Sequence, residues 1–530
     1  MTGGGRLRER LDGWAWLAVA AFVCATVANV VWTLVDQGLP ASDPGRHLVH
    51  SVTYRDAWTS GDLLYPLTTF ADGQLGPFTY VVGGVAMLIG GIDDDPAIIA
   101  AAVLFGGALA LGCHGAGRRA FGPAAGGLAA VFALGTPMVV AQLHTFLADA
   151  PAAAMVALAV WLLLRSERLE RLGPSAAAGV AIGLGVLTRS EVAVWVIGAI
   201  LVILVRGAWR NWRGVLTLGV AALAVGAPWY LLNWAEISER GEGAARHQPG
   251  SVGDQLGLMP ERFSGQNLGW YTWSTLNVKL FLPFFLLAVG GAIWALLRYL
   301  RNRDSRDVTP ELLGGYLVGY ALQTMVFTLK DPRYSLPGLV YLAVLGTGWL
   351  GALREPRRRM LAAAAVVTVA VVNVAMISLN VGGTARVELP GAPEPPSLPR
   401  HRQVVIVSDG TWVGYSDTAP EDSGAPLLDV MREARRDGAK YVFFQAGDFP
   451  PFFAPAGLTF FARVAGLNYV VDGKPENLGP KDIVLVRRPS EPGWPAPCIR
   501  QPDGQGVWVG HGQEWRIPPA NFKPYCPTRG

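Results

Sequence analysis

Trp14–Val35 reads WAWLAVAAFVCATVANVVWTLV, an apolar run without a single Asp, Glu, Lys or Arg. A helix needs about 20 mostly apolar residues to cross the hydrocarbon of a bilayer. This run has that length. It is too long for a signal-peptide core and has no convincing small-residue cleavage site, so it reads as a retained membrane helix. Working outward, similar runs occur at Pro96–Leu111, Ala124–Val140, Leu147–Leu164, Ser175–Leu187, Val192–Val205, Val215–Trp234, Leu280–Leu300, Leu312–Leu329, Leu336–Leu353 and Met360–Val381. The sequence thus predicts about 11 transmembrane helices. The count turns on the pair either side of Arg189 and Glu191, since fusing it would change the parity.

Composition agrees. Of the 530 residues 51% are hydrophobic and only 16% charged, against about a quarter charged in soluble domains. Disordered, collagen-like and disulfide-scaffold classes are excluded, and a purely soluble enzyme is disfavoured. The net charge of +4 is spread along a membrane-like chain and implies no nucleic acid partner. Four cysteines, without CxxC or zinc spacing, are too few for a disulfide framework.

Loop charges orient the bundle. Arginines cluster at Arg6–Arg10, Arg118–Arg119, Arg165–Arg171, Arg206–Arg213, Arg298–Arg306 and Arg354–Arg359. With eleven crossings all of these fall on the side of the N-terminus, which the positive-inside rule makes the cytoplasm. The chain is then a multi-pass plasma-membrane protein with its tail outside. Residues 1–381 form the membrane domain, 382–402 a linker that includes the Pro-rich Leu389–Pro399, and 403–530 an extracytoplasmic α/β domain. In the tail, Val404–Val407, Tyr441–Phe444 and Ile483–Val486 read as strands, and Pro426–Arg436 and Pro455–Ala465 as helices. An outside compartment permits a Cys498–Cys526 disulfide.

The outer loops hold the chemistry. Arg46–Ser60 reads as an amphipathic interfacial helix, and Pro77–Gly90 as an apolar re-entrant or interfacial element too short to cross. Asp43-Pro44 suits a helix start, with Asp as cap and Pro in the first turn. Asp43 also precedes His47 and His50 at i+4 and i+7, on one helical face. The second outer loop carries His144 and Asp149. Ionisable groups at such positions are costly and usually functional, although a solvated helix start would also favour an Asp. His47, His50 and His144 with nearby carboxylates form a candidate divalent-metal set, without diagnostic spacing. Arg189 and Glu191 sit at an outer apex and can pair. Lys330-Asp331-Pro332-Arg333-Tyr334 places two cations at an outer interface, for snorkelling or for forking phosphate oxygens.

In their order, these features resemble the GT-C superfamily of lipid-linked-sugar glycosyltransferases, and within it family 39, the protein O-mannosyltransferases and aminoarabinose transferases. The resemblance covers roughly residues 14–381. It lies in Asp43 after the first helix, Gly76-Pro77-Phe78-Thr79-Tyr80, Arg118-Arg119-Ala120-Phe121-Gly122 and Leu147-Ala148-Asp149-Ala150-Pro151. It continues in Gly183–Arg189, Ala227-Pro228-Trp229-Tyr230 and Arg333-Tyr334-Ser335-Leu336-Pro337. The resemblance implies a polyprenyl-phosphate sugar donor, Asp43 as catalytic base and Asp149 as the second acidic residue. It implies inversion at the anomeric carbon and an acceptor hydroxyl or amine on a glycan, lipid or protein. His47, Tyr80, Arg189, Lys330, Arg333 and Tyr334 are the expected substrate contacts. Two departures stand out. Pro44 replaces the second acid often found beside the first Asp, and Gly76 precedes Pro77 where some members have Lys. A cation for the donor phosphate is therefore expected from Arg189, Lys330 or Arg333. The rival readings are a transporter, which should show repeats and mid-membrane charges, and a non-catalytic envelope assembly protein, which needs no focused acid–cation constellation.

Overall fold

The computed structural model describes residues 12–36, 38, 40, 42–70, 75–245, 265–302, 304–326, 331–388, 403–409, 425–444, 455–471, 481–489, 499–500 and 505–511. Each apolar run named above falls largely on helix. The first part of the bundle comprises α1 (Gly13–Val35), α2 (Ser42–Thr59), the single turn α3 (Tyr65–Thr68), α4 (Phe78–Gly90), α5 (Asp94–Phe121), α6 (Pro123–Leu134), α7 (Pro137–Leu143) and α8 (Asp149–Arg165). It continues with α9 (Leu172–Val186), α10 (Glu191–Val205), α11 (Trp212–Leu232), α12 (Trp234–Ala245) and α13 (Gly265–Ser274). The last four are α14 (Phe281–Asn302), α15 (Thr309–Val326), α16 (Leu339–Gly351) and α17 (Pro356–Leu379). Among the described residues, five helices are long and apolar enough to cross a membrane, or six when α6 and α7 are taken as one span.

Two local findings refine the sequence reading. The run Ala124–Val140 is not one straight helix: α6 and α7 meet at 59°, where Gly135 ends one helix and Pro137 starts the next. α9 and α10 are separate helices, so the runs flanking Arg189 do not fuse. The 13-residue α4 extends only about 20 Å, short of the hydrocarbon thickness, as expected for an element that does not cross.

Packing follows the membrane rule that small residues let helices approach closely. The buried faces of α5, α6 and α8 are mostly Ala and Gly. The outward faces are apolar as well: Val19, Val23, Val27 and Val31, spaced by four on α1, are 41–55% exposed. An apolar stripe of this kind is unfavourable in water and natural against lipid. The arginine-bearing ends gather at one end of the bundle. Arg118 pairs with Asp12 at 2.6 Å and Arg206 with Glu311 at 2.5 Å.

The C-terminal part is α/β. β3 (Tyr441–Phe444) runs parallel to β4 (Asn468–Val471) and β5 (Ile483–Pro489), while β7 (Gln505–His511) is antiparallel to β5 and β6 (Ile499–Arg500), giving the order β4-β3-β5-β7-β6. Helices α18 (Ala425–Arg436) and α19 (Pro455–Val464) accompany it. The strand expected at Val404–Val407 does not belong to this sheet. It is β2 (Gln403–Val407), paired antiparallel with β1 (Ala385–Glu388) in a separate ribbon, so part of the expected linker is strand. Leu389–Pro399, Cys498 and Cys526 lie outside the described residues; Cys24 is exposed and Cys113 buried, both as free thiols.

The C-terminal domain is seated on the membrane part. Asn277 Oδ1 accepts from the Val405 N–H at 2.9 Å. α19 crosses α2 so closely that a Cβ on Gly45 would lie 2.7 Å from the Gly457 nitrogen. Gly45→Ala is therefore expected to push α19 off α2 and cost about 1–3 kcal/mol, as overpacking does. Thermal unfolding together with limited proteolysis of the C-terminal domain checks this; an unchanged melting point and cleavage pattern would contradict the close crossing.

Candidate active site

α2, α8, the turn between α9 and α10 and the 3₁₀ segment Pro332–Gly338 bring their charged residues to the end of the bundle opposite the arginine clusters. Asp43 lies in the first turn of α2, which begins at Ser42. Its carboxylate accepts from Arg333 at 3.0 Å through one oxygen and from Arg46 at 3.0 Å through the other. Asp331 fixes Arg333. One Asp331 oxygen caps the Arg333 backbone N–H at 2.9 Å, and the other accepts from Arg333 Nε at 2.9 Å and Nη2 at 2.7 Å. The local cause is Asp331-Pro332: Asp caps the short helix and Pro starts it.

A second cluster lies beside the first. Arg189 forks between Asp149 at 2.5 Å and Glu191 at 2.7 Å, and its guanidinium sits 4.8 Å above the Tyr334 ring. Arg189, Asp149 and Glu191 are all buried. Arg189 thus pairs with Glu191 as the sequence suggests, and with Asp149 as well. Asp149 is the first residue of α8, but it is buried rather than solvated, and its second oxygen has no hydrogen bond among the described residues. Tyr334, directly after Arg333 in the chain, links the two clusters.

Other expected site residues take supporting positions. His47 is buried and its Nδ1 donates to the Phe146 carbonyl at 3.3 Å. Tyr80 is fully buried, with its ring 5.4 Å from His47 and 5.2 Å from His50, so it braces α2 from α4. His144 stacks on Trp32 at 4.5 Å and hydrogen-bonds Ser378 at 3.1 Å, which engages it apart from His47 and His50. Among the described residues no three His, Cys, Asp or Glu side chains stand together as a metal-binding group. Lys330 lies outside the described residues. Gly76 touches the Leu187 backbone: a Cβ there would lie 2.4 Å from the Leu187 oxygen, and Phe78 N–H donates to that same oxygen at 3.0 Å. A lysine cannot occupy this position without moving the loop, which explains the departure seen there. Lys279, unassigned from sequence, is buried with its Nζ donating to Ser335 Oγ.

The electrostatics set the protonation states. Burial works to raise the Asp43 carboxyl, but Arg333, with Arg46 assisting, outweighs it and holds Asp43 below the usual range. Burial pulls His47 down to about 3, against the opposing pull of Asp43. Asp43 is therefore anionic and His47 neutral at physiological pH. Because the Asp43 pKa is depressed, the anionic form persists down through the ordinary carboxylate range and is lost only as pH falls below that range. From these two groups we expect a flat profile of kcat/KM between about pH 5 and 8. A break near pH 6.5 that disappears in His47→Asn would contradict these assignments.

Residues 77–232, from α4 to α11, match the family described as dolichyl-phosphate-mannose-protein mannosyltransferase. No curated protein matches the chain in sequence. Among solved structures, ArnT from Cupriavidus metallidurans in the apo state aligns with a TM-score of 0.57 at 19% identity, over 93% of this chain and 97% of that one. ArnT from the same organism bound to undecaprenyl phosphate aligns with a TM-score of 0.57 at 18% identity, over the same 93% and 97%. The matched segment carries Asp149, Arg189 and Glu191, and the fold extends over nearly the whole chain, including the C-terminal α/β part. By these matches residues 77–232 are similar in sequence to that mannosyltransferase family, and nearly the whole chain shares the fold of ArnT.

Proposed function

We propose that the protein moves a sugar from a polyprenyl-phosphate donor to an acceptor hydroxyl or amine at the outer face of the plasma membrane, with Asp43 as base and inversion at the anomeric carbon. The N-terminus and arginine clusters then face the cytoplasm, and the C-terminal domain lies outside over α2. The observation that carries the reading is the Asp43–Arg333 contact at 3.0 Å, an anionic carboxylate beside a fixed cation. An ArnT of similar fold binds undecaprenyl phosphate, which makes a polyprenyl-phosphate carrier the natural donor class.

In this mechanism the acceptor's O–H or N–H proton passes to Asp43 as the acceptor atom attacks the anomeric carbon. The bond from that carbon to the phosphate oxygen breaks on the opposite face, so the configuration inverts. The electron pair leaves with the lipid phosphate, whose growing charge Arg333 and Arg189 stabilise. Asp149 and Glu191 orient Arg189, and Asp331 orients Arg333. Tyr334, whose ring lies under the Arg189 guanidinium, is proposed to contact the sugar, with Lys330 as a further cation for the phosphate. Product configuration, read by NMR from a donor of known anomeric form, tests the mechanism. Inversion is expected; retention would require a covalent intermediate and contradict a base role for Asp43.

A further inference from the structure

α14 carries two adjacent glycines with different surroundings. A Cβ on Gly291 would lie 2.4 Å from the Leu345 oxygen, so Gly291 is small because α16 packs against it. A Cβ on Gly290 would meet nothing within 4 Å. Gly290 opens instead onto a groove of about 500 Å³ between α14 and α16, lined by Leu286, Leu287, Gly290, Trp294, Trp349 and Leu353. These lining residues are all apolar, and Leu286 is 60% exposed, so the groove faces the membrane. The helix from Leu286 to Trp294 rises about 12 Å, close to the depth of one leaflet, about half of the hydrocarbon thickness.

The groove ends at cations. Arg298, one turn beyond Trp294, holds its guanidinium 5.5 Å from the Trp294 ring centre and meets Asp307 at 3.3 Å. Arg354 directly follows Leu353, is exposed, and has no ion-pair or hydrogen-bond partner among the described residues. This is the arginine-bearing end of the bundle, away from Asp43. A hydrocarbon chain already in the bilayer gains little by entering an apolar groove, because both surroundings are oil-like. Selection among lipids therefore falls to the headgroup, and a basic pocket at the end of a groove between membrane helices favours a negative one.

We propose that the groove between α14 and α16 holds an acyl chain of an anionic membrane phospholipid, with its headgroup phosphate on Arg354 and Arg298. The site is separate from the Asp43–Arg333 cluster and does not rest on the donor reading. The test places the full chain in nanodiscs containing equal amounts of phosphatidylglycerol and phosphatidylcholine, and native mass spectrometry reads the lipid that stays bound on release. Wild type, Gly290→Leu and Arg354→Gln are compared, each first shown by thermal unfolding to be folded. Space is open at Gly290 and Arg354 is unpaired among the described residues, so both changes are expected to spare the fold. Wild type should prefer phosphatidylglycerol by at least about fivefold, the effect of one cation on an anionic headgroup at the membrane surface. Gly290→Leu should fill the groove and lower the retained phosphatidylglycerol by one molecule per chain. Arg354→Gln should reduce the preference about fivefold. Equal retention of the two lipids by wild type, wild-type retention by Gly290→Leu, or an unchanged preference in Arg354→Gln would each overturn the proposal. Undecaprenyl phosphate added as competitor should leave the phosphatidylglycerol in place; its displacement would give the groove to an isoprenoid chain and overturn the proposal as well.

Discussion

Asp43→Asn should reduce turnover on the order of 10²–10⁴-fold, the typical cost of losing a general base. Asn has the shape of Asp and still accepts a hydrogen bond from Arg333, but it cannot take a proton. It also supports a helix start about as well as Asp, so a purely structural Asp43 would make the change nearly silent. Donor binding should survive, because the lost interaction belongs to the transition state. Asp149→Asn is the informative companion. Asp149 touches Arg189 rather than Arg333, so its loss should loosen the guanidinium and affect donor binding as well as rate.

Arg189→Met should be the most destabilising single change at the site, by about 3–5 kcal/mol, the cost of breaking a buried ion pair by removing one partner. It strands two buried carboxylates, Asp149 and Glu191, that Arg189 joins. Chemical or thermal unfolding in detergent measures the loss. Arg189→Met combined with Asp149→Asn and Glu191→Gln should recover much of the stability, since neither carboxylate is then left charged and stranded, while activity stays low. A single variant as stable as wild type would mean that Arg189 is not the centre of a buried cluster.

The membrane helices were legible in the sequence because crossing a bilayer demands long apolar runs, and Trp14–Val35 or Met360–Val381 can hardly be read otherwise. The bend between α6 and α7 was harder to see. Gly135 and Pro137 are both present in the sequence, but the apolar run continues through them and hides the break. The ribbon of β1 and β2 was missed for a similar reason: Ala385–Glu388 is short and fully exposed, with no alternation to betray a strand. At the site, Asp43, Asp149, Arg189 and Arg333 stood out as charges where few are expected. Their partnerships did not, because Arg333 reaches Asp43 across 290 positions of the chain and Arg189 reaches Asp149 across 40. Asp331 was visible only as part of a charged loop, and its grip on Arg333 is a tertiary fact. Lys279 sits at the edge of an apolar run, where a lysine ordinarily snorkels; burial against Ser335 could not be read from its neighbours in sequence.

The claim that a lipid-linked sugar is the donor is tested most directly by incubating the purified full chain with a panel of labelled polyprenyl-phosphate sugars and an acceptor-containing membrane extract, then measuring free polyprenyl phosphate. The account predicts release of lipid phosphate with at least one sugar, in step with sugar transfer, and its loss in Asp43→Asn. Transfer from a nucleotide sugar with no release of lipid phosphate would contradict it.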